Sequence, residues 1–480
     1  MKLNPLNIFL CGWLSVLAVS LCLAEEKTLR VSSLAELSRV AAGDGQNIRV
    51  EPGVYRMADY LTPEVLAEIR SGVDRKQSRP PVPMFVFRGS GNRFDLRGVV
   101  IEIDTSLYKL VPQGGYTRCL IIAGARNTFD GLTLRATGAQ QGSGGNTLSV
   151  AGDGNTLENI TVHVNGSFPY GYGDLLGKGG PNLVPLQKQS GIQILGSDST
   201  LRRCKVFSRA LGHCFYIQVG GRIRLEDCYA EGVMRLTTDM LRDTSGPAFD
   251  LGFRSVYQNR DGRYVITPGY MKSLCEDGFR TYGNAGSVTL VNCTAVNTRA
   301  GFEIGANDGA PVKTIVENCV ARGCERAYLI GSQTIVRRSS GDAVNGPLLY
   351  LRGGRDSEVE LQLCGGGPAA TVHALATIAG TGHRVRLTEG DHTPNRPQLP
   401  IMLGFGMPEH AEMSSPIRPA AAKNISLINE IATAPILTSD LVVDAKVESK
   451  SRTVSDAELR ASPGSWGLPA SGIANGKSEK

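Results

Sequence analysis

Phe215-Tyr-Ile-Gln-Val-Gly220, Phe279-Arg-Thr-Tyr-Gly283 and Phe302-Glu-Ile-Gly305 are three versions of one phrase, a short apolar strand that ends in glycine. The phrase recurs on both sides, as Cys119-Leu-Ile-Ile-Ala-Gly124, Thr147-Leu-Ser-Val-Ala-Gly152, Ile192-Gln-Ile-Leu-Gly196, Tyr328-Leu-Ile-Gly331 and Leu349-Tyr-Leu-Arg-Gly353. The closing glycines are 28, 44, 24, 63, 22, 26 and 22 residues apart. Steps in the twenties, with alternating strands and no helical spacing, point to a solenoid of parallel strands, a single-stranded parallel β-helix. The two long steps mark large loop insertions, and those are the places to look for a function.

A second strand follows each glycine. Examples are Asn155-Thr-Leu-Glu-Asn-Ile-Thr-Val162, Ser199-Thr-Leu-Arg-Arg-Cys-Lys-Val206, Arg222-Ile-Arg-Leu-Glu-Asp-Cys-Tyr229 and Ser287-Val-Thr-Leu-Val-Asn-Cys-Thr294. Period-2 alternation puts one side in a core and the other in water. Arg203, Asp227, Asn292 and Asn318 then share one turn position, where they are expected to bond the backbone of the next coil. Cys204, Cys228, Cys293 and Cys319 stack at the next position, beside Ile160.

Residues 1–24 read as a secretory signal peptide, with Lys2, an apolar run from Ile8 to Leu23, and a Cys22-Leu23-Ala24 end. A secreted or periplasmic protein cleaved near Ala24 is expected. Leu21 is too large for a lipidation box, and no later segment is long and apolar enough to span a bilayer. Nine cysteines follow the signal. They read mainly as small core residues, with Cys319–Cys324 or Cys214–Cys275 as conceivable bridges, and no zinc spacing is present. A net charge of +6 is compatible with an anionic ligand but does not require one. No nucleic-acid motif is present, and a monomer is expected.

Ser33 is placed to cap a helix beginning at Leu34, which leads into Ile48-Arg-Val-Glu-Pro-Gly-Val-Tyr55. This opening resembles the entry cap of secreted right-handed parallel β-helix proteins of the pectate-lyase-like superfamily. Chondroitinase-B-like and alginate lyases begin in this way. A capping helix would cover the open apolar end of the coil. The resemblance extends over roughly residues 30–390 at the level of fold and implies no single activity, since that superfamily holds lyases, hydrolases, epimerases, esterases and adhesion modules. The expected organisation is a cap and first coil over 25–58, the β-helix over 59–390, a loop and terminal strands over 391–447, and a disordered tail over 448–480.

The insertions fall near 163–189 and 231–275, and long loops in a compact repeat fold are commonly functional. They carry Phe168-Pro-Tyr-Gly-Tyr172 and Arg235-Leu-Thr-Thr-Asp239, and are expected to wall a groove. Tyr170 and Tyr172 are either a small core of the insertion or stacking platforms for sugar rings. The floor would be the first strands. With Ile192, Phe215, Phe279 and Phe302 inward, Gln193, Tyr216, Arg280 and Glu303 point outward on successive coils. Three positions earlier stand Ser190, His213, Asp277 and Ala300, so His213 and Asp277 are expected to be close. Glu276 stands beside Asp277, Tyr282 follows Arg280, and Lys272 sits where the second insertion meets the floor.

Three functions fit. A β-elimination lyase on a uronate-containing polysaccharide needs a cation on the carboxylate, a base and an acid. Arg280 or Arg235 would serve as the cation, His213 or Lys272 as the base, and Tyr216 or Tyr282 as the acid. A uronate epimerase would use the same parts. A glycoside hydrolase needs paired carboxylates, here drawn from Asp277, Glu303, Asp239 or Asp243. A noncatalytic carbohydrate-binding solenoid needs neither. The Lys/Arg motif of chondroitinase-B-like lyases and the aspartate signature of polygalacturonases are both absent. No compact acidic calcium site is visible, and calcium is the one cofactor left open.

Overall fold

A computed structural model describes residues 28–458 except 75, 77–79, 111–115, 139–143, 179–181, 260–261, 306–312, 366–371, 373, 391–398, 407–417 and 456. The expected signal peptide and the tail beyond 458 lie outside the described residues. The chain is a right-handed parallel β-helix. Each coil crosses one sheet with its first strand and a second, bent sheet with the strands that follow. The first-strand sheet runs through thirteen strands in line, from Pro81–Phe87 to Thr453–Val454.

The register is set by what fills the coil. Ile192 pairs with Phe215, Phe215 with Phe279, Phe279 with Phe302, and Phe302 with Tyr328. The four rings from Phe215 to Tyr328 stack with centroids 5.0, 5.1 and 5.1 Å apart. A parallel stack of like side chains in one column holds each coil in register with the next, because a slip of one residue would expose every ring. Phe279→Ala is expected to cost about 3–5 kcal/mol by opening a cavity in the middle of the stack. Denaturant unfolding checks this, and an unchanged midpoint would contradict it.

The turn column departs from expectation in one respect. Asn159, Arg203, Asp227, Asn292 and Asn318 all have φ between 52° and 55°, a left-handed conformation that asparagine and aspartate tolerate. Their side chains bond one another and not the backbone of the next coil: Asn318 donates to Asn292 at 2.7 Å, and Asn292 to Asp227 at 3.0 Å. The ladder that does bond backbone lies at another turn, where Asn92 and Asn127 accept from neighbouring amides and donate to Gly43 and Gly89 carbonyls. The cysteine column is as read. The thiols of Cys204, Cys228, Cys293 and Cys319 each donate to a leucine carbonyl of the preceding coil at 3.5–3.7 Å. All nine cysteines are free, and neither Cys319–Cys324 nor Cys214–Cys275 is bridged.

Helix Leu34–Val40 caps the N-terminal end, with Ser33 accepting from the Glu36 amide. Two further helices follow, Met57–Tyr60 and Pro63–Ser71, the latter capped by Thr62. At the other end, described strands continue the coil past residue 400. Ile401–Leu403, Ile436–Thr438 and Thr453–Val454 extend the first-strand sheet, and Ser449 ends a strand that begins at Lys446. Among the described residues, no helix is long and apolar enough to cross a membrane.

The two insertions fold onto each other. Tyr172, Leu175, Leu176, Met240, Ala248, Tyr257, Ile266 and Leu274 form a small core of their own, separate from that of the coil. This places a rigid block beside the first strands of the middle coils.

Candidate active site

The outward column runs Ser149, Gln193, Tyr216, Arg280, Glu303, Leu329 and Tyr350 in direct register. Strict alternation would send Asp277 inward, since it lies three positions before Arg280. Gly278 removes the conflict. A Cβ there would lie 2.9 Å from the core methyl of Ala295, so both Gly278 and Phe279 face inward. The strand bends at that glycine, and Asp277 returns to the outward side. Gly191 and Gly301 do the same on their coils, where a Cβ would meet Val206 at 2.7 Å and Ala321 at 2.8 Å.

His213 and Asp277 are therefore neighbours. His213 Nδ1 lies 3.0 Å from Asp277 Oδ2, a close contact and not an aligned hydrogen bond. On the opposite side of the ring, Nε2 is 2.8 Å from the Tyr282 hydroxyl and 3.4 Å from Glu276 Oε2. The Arg280 guanidinium stands 4.6 Å from the centre of the Tyr282 ring and pairs with both Glu303 and Asp277. Burial pushes the Tyr282 phenol well up against the opposing pull of Arg280, so it is a proton donor at neutral pH. Tyr216 donates to Asn146 Oδ1 at 2.5 Å and touches the Tyr116 hydroxyl at 3.0 Å. Gln193 links Asn146 to Gln218.

Beneath this row lies a buried ionic hub centred on Arg299, 1% exposed. Its guanidinium donates to Asp174 at 2.8 Å, Glu276 at 3.2 Å, Asp277 at 2.8 Å and Glu303 at 3.5 Å. Lys272 bridges Asp174 at 2.6 Å and Glu325 at 3.0 Å, and Lys188 reaches Glu276 at 2.8 Å. Burial alone would raise these acids. For Asp277 the opposing charges of Arg299, His213 and Arg280 win, and its carboxyl is held well below the usual range. Asp174 is held low by Lys272 and Arg299, and Glu276 by Lys188, His213 and Arg299, again against burial. Five carboxylates (Asp174, Glu276, Asp277, Glu303 and Glu325) thus face the fixed cations Arg299, Lys272, Lys188 and Arg280. Lys178, half-buried beside them, is pushed down to about 8 by burial and by Arg299.

The expected residues divide into two groups. His213, Asp277, Glu276, Tyr216, Tyr282, Arg280, Glu303 and Gln193 come together in one row. Lys272 is only 2% exposed and is held between two carboxylates, so it has no free face toward the groove. Arg235 is not steadied by a side-chain pair with Asp239. It holds Asp243 at 2.7 Å and the Gly171 carbonyl at 3.1 Å, with its guanidinium 5.4 Å from the Tyr172 ring. Asp239 is exposed and pairs with Arg242. Tyr172 is 4% exposed, donates to Asp243 and belongs to the core of the insertions, against which Tyr170 packs. Arg235 and Tyr172 therefore clamp one insertion to the other. Arg299, Asp174, Lys188, Lys178 and Glu325 were not singled out in the sequence. The available signal was Arg299 beside Ala300, one coil from Glu276 beside Asp277, which are opposite charges in one column.

The row separates two clefts that share Tyr282. One, of about 500 Å³, is lined by Tyr116, Lys188, His213, Tyr216, Glu276 and Tyr282 among others. The other, of about 440 Å³, runs from Arg280 and Tyr282 past Glu303 to Ser332 and Arg352. Beyond Glu303 the outward column turns apolar. Leu329, Tyr350, Met402, Leu437 and Val454 are covered by Phe405 and Ala374 and form a second small core on the outside of the sheet. Among the described residues, no group of three or more His, Cys, Asp or Glu side chains is arranged to hold a metal. The hub carboxylates that converge are already bonded to arginine and lysine, so they do not fit a calcium ion.

No family model and no curated protein matches the sequence. Solved structures are similar in fold. An alginate lyase, AlyF-OU02, in complex with G6 shares 12% identity with a TM-score of 0.41, covering 90% of this chain and 86% of that one. A mannuronic acid specific family 6 polysaccharide lyase from human gut microbiota shares 7% at a TM-score of 0.42, covering 91% and 93%. PfbA, a surface adhesin of Streptococcus pneumoniae, shares 8% at a TM-score of 0.32, covering 90% and 94%. The likeness is one of fold. Fold does not fix activity, which has to be argued from the site.

Proposed function

We propose that this chain is a polysaccharide lyase that cleaves a uronate-containing polymer by β-elimination, with the reacting sugar at the junction of the two clefts. The observation that carries this reading is the His213–Tyr282 pair at that junction, with Asp277 behind the imidazole and Arg280 over the phenol ring. Arg280, 19% exposed at its side chain, faces the sugar carboxylate and makes the adjacent C–H more acidic. His213 Nε2 takes that proton. The C–H electron pair becomes the new carbon–carbon double bond, and the glycosidic C–O bond breaks. Tyr282 gives its hydroxyl proton to the departing oxygen. The imidazolium, 2.8 Å from that phenol, then returns a proton to it, and the pair is reset without outside reagents. The positive charge gained at Nε2 has Asp277 on one side of the ring and Glu276 on the other.

Hydrolysis fits less well. Asp277 and Glu303 would have to serve as acid and base, yet both are bonded to arginine. The test is turnover of a panel of uronate and neutral polysaccharides, with unsaturated uronate absorbance and reducing ends followed together. A lyase raises both on a uronate polymer. Absence of turnover across the panel, with retained binding, would leave a carbohydrate-binding solenoid.

A further inference from the structure

The second cleft continues away from the reacting row for several coils, and its floor is backbone. Gly283, Gly305, Gly331 and Gly353 close successive first strands along it. Gly305 and Gly331 stack so closely that a Cβ on Gly305 would lie 2.6 Å from the Gly331 Cα, so glycine is required there by packing alone. A consequence is a trough whose glycine positions raise no side chain, with a cation near each end. Arg280 stands at the near end. At the far end is Arg352, an exposed residue whose side chain has no ion-pair or hydrogen-bond partner among the described residues. The Arg352 strand lies three coils from that of Arg280, which at the interstrand spacing is roughly 14 Å. On the other side the trough is bounded by the apolar block of Leu329 and Tyr350, so a ligand is confined to the glycine line.

We propose that this trough is a remote subsite for an acidic oligosaccharide and that Arg352 takes the carboxylate of a sugar unit several rings from the bond that reacts. The proposal rests on the acidic-substrate reading above and extends it. No single sugar spans the distance between the two arginines, so the contribution of Arg352 must depend on chain length. An exposed guanidinium meeting a carboxylate in bidentate fashion is specific as well as attractive.

The test uses size-fractionated uronate oligosaccharides prepared from alginate and from polygalacturonate, with the full chain and its Arg352→Ala variant. Calorimetric binding and steady-state turnover are both measured as a function of oligomer length. Wild type is expected to gain affinity as the oligomer becomes long enough to reach Arg352. The variant is expected to lose that gain, with binding of the long oligomers weakened about tenfold and the effect appearing in KM. Arg352→Lys should recover part of it. Identical length profiles for wild type and Arg352→Ala would overturn the subsite even if the protein is an active lyase. A length-dependent loss of binding with no turnover of any substrate would support the subsite while rejecting the lyase. Absence of binding at every length would overturn the subsite.

Discussion

Arg299→Ala is expected to destabilise the protein by about 3–5 kcal/mol, the largest effect of any single substitution away from the aromatic stack. Arg299 is buried and donates to four carboxylates drawn from the first insertion, the strand of Asp277 and its own coil. Removing it leaves Asp174, Glu276 and Asp277 in low dielectric with much of their compensating charge gone, and a buried charge without a partner costs far more than the pair itself contributes. The first insertion loses its Asp174–Arg299 contact with the floor at the same time. Denaturant or thermal unfolding provides the readout, and a midpoint equal to wild type would show that the hub is not what holds the insertions down. The pH dependence follows from the same groups. Asp174, Glu276 and Asp277 have folded-state values depressed below their ordinary ones. Their contribution is therefore fully present above the unfolded carboxylate range, about 4, and is lost as pH falls toward the depressed folded values. Wild type should hold its stability down to about pH 4–5 and decline below it. Arg299→Ala should lose part of that acid dependence, chiefly the share of Asp277, because Lys272 and Lys188 still hold Asp174 and Glu276 low.

His213→Ala is expected to lower kcat on a uronate polymer by about 10²–10⁴-fold, the usual contribution of a positioned general base, with little change in KM. Tyr282→Phe should bring a loss of comparable order, since it removes the proton for the leaving oxygen while keeping the ring under Arg280. The two losses should not add, because each group resets the other across a 2.8 Å contact. Full activity in His213→Ala would reject His213 as the base.

Much of the fold could be read from particular residues. Phe215, Phe279 and Phe302, each set before a glycine and legible as successive coils once the 63-residue step is read as an insertion, define the coil, and their stacking is what aligns Tyr216 with Arg280 and Arg280 with Glu303. The site was legible where it lies on those strands, as with His213 beside Asp277. It was not legible where the contact depends on how an insertion packs. Asp174 reaches Arg299 across 125 residues, and Glu325 meets Lys272 across 53, so no local spacing announces either. Lys272 and Tyr172 illustrate the converse. Their residue types suggest chemistry, but the insertions fold inward and enclose them. The bend at Gly278 lies between these cases, because the glycine is visible in sequence while the two consecutive inward positions it permits are not.

The central claim is elimination as opposed to hydrolysis, and the most direct measurement is mass spectrometry of the products formed from a uronate polymer in water enriched in heavy oxygen. A lyase releases a new non-reducing end carrying a double bond, one water lighter than a hydrolytic fragment, with no heavy oxygen incorporated at the cleaved bond. That is the expected result, together with its loss in His213→Ala. Saturated fragments with the heavy oxygen at the new reducing end, and no unsaturated partner, would contradict it and return the chemistry to the carboxylates of the hub.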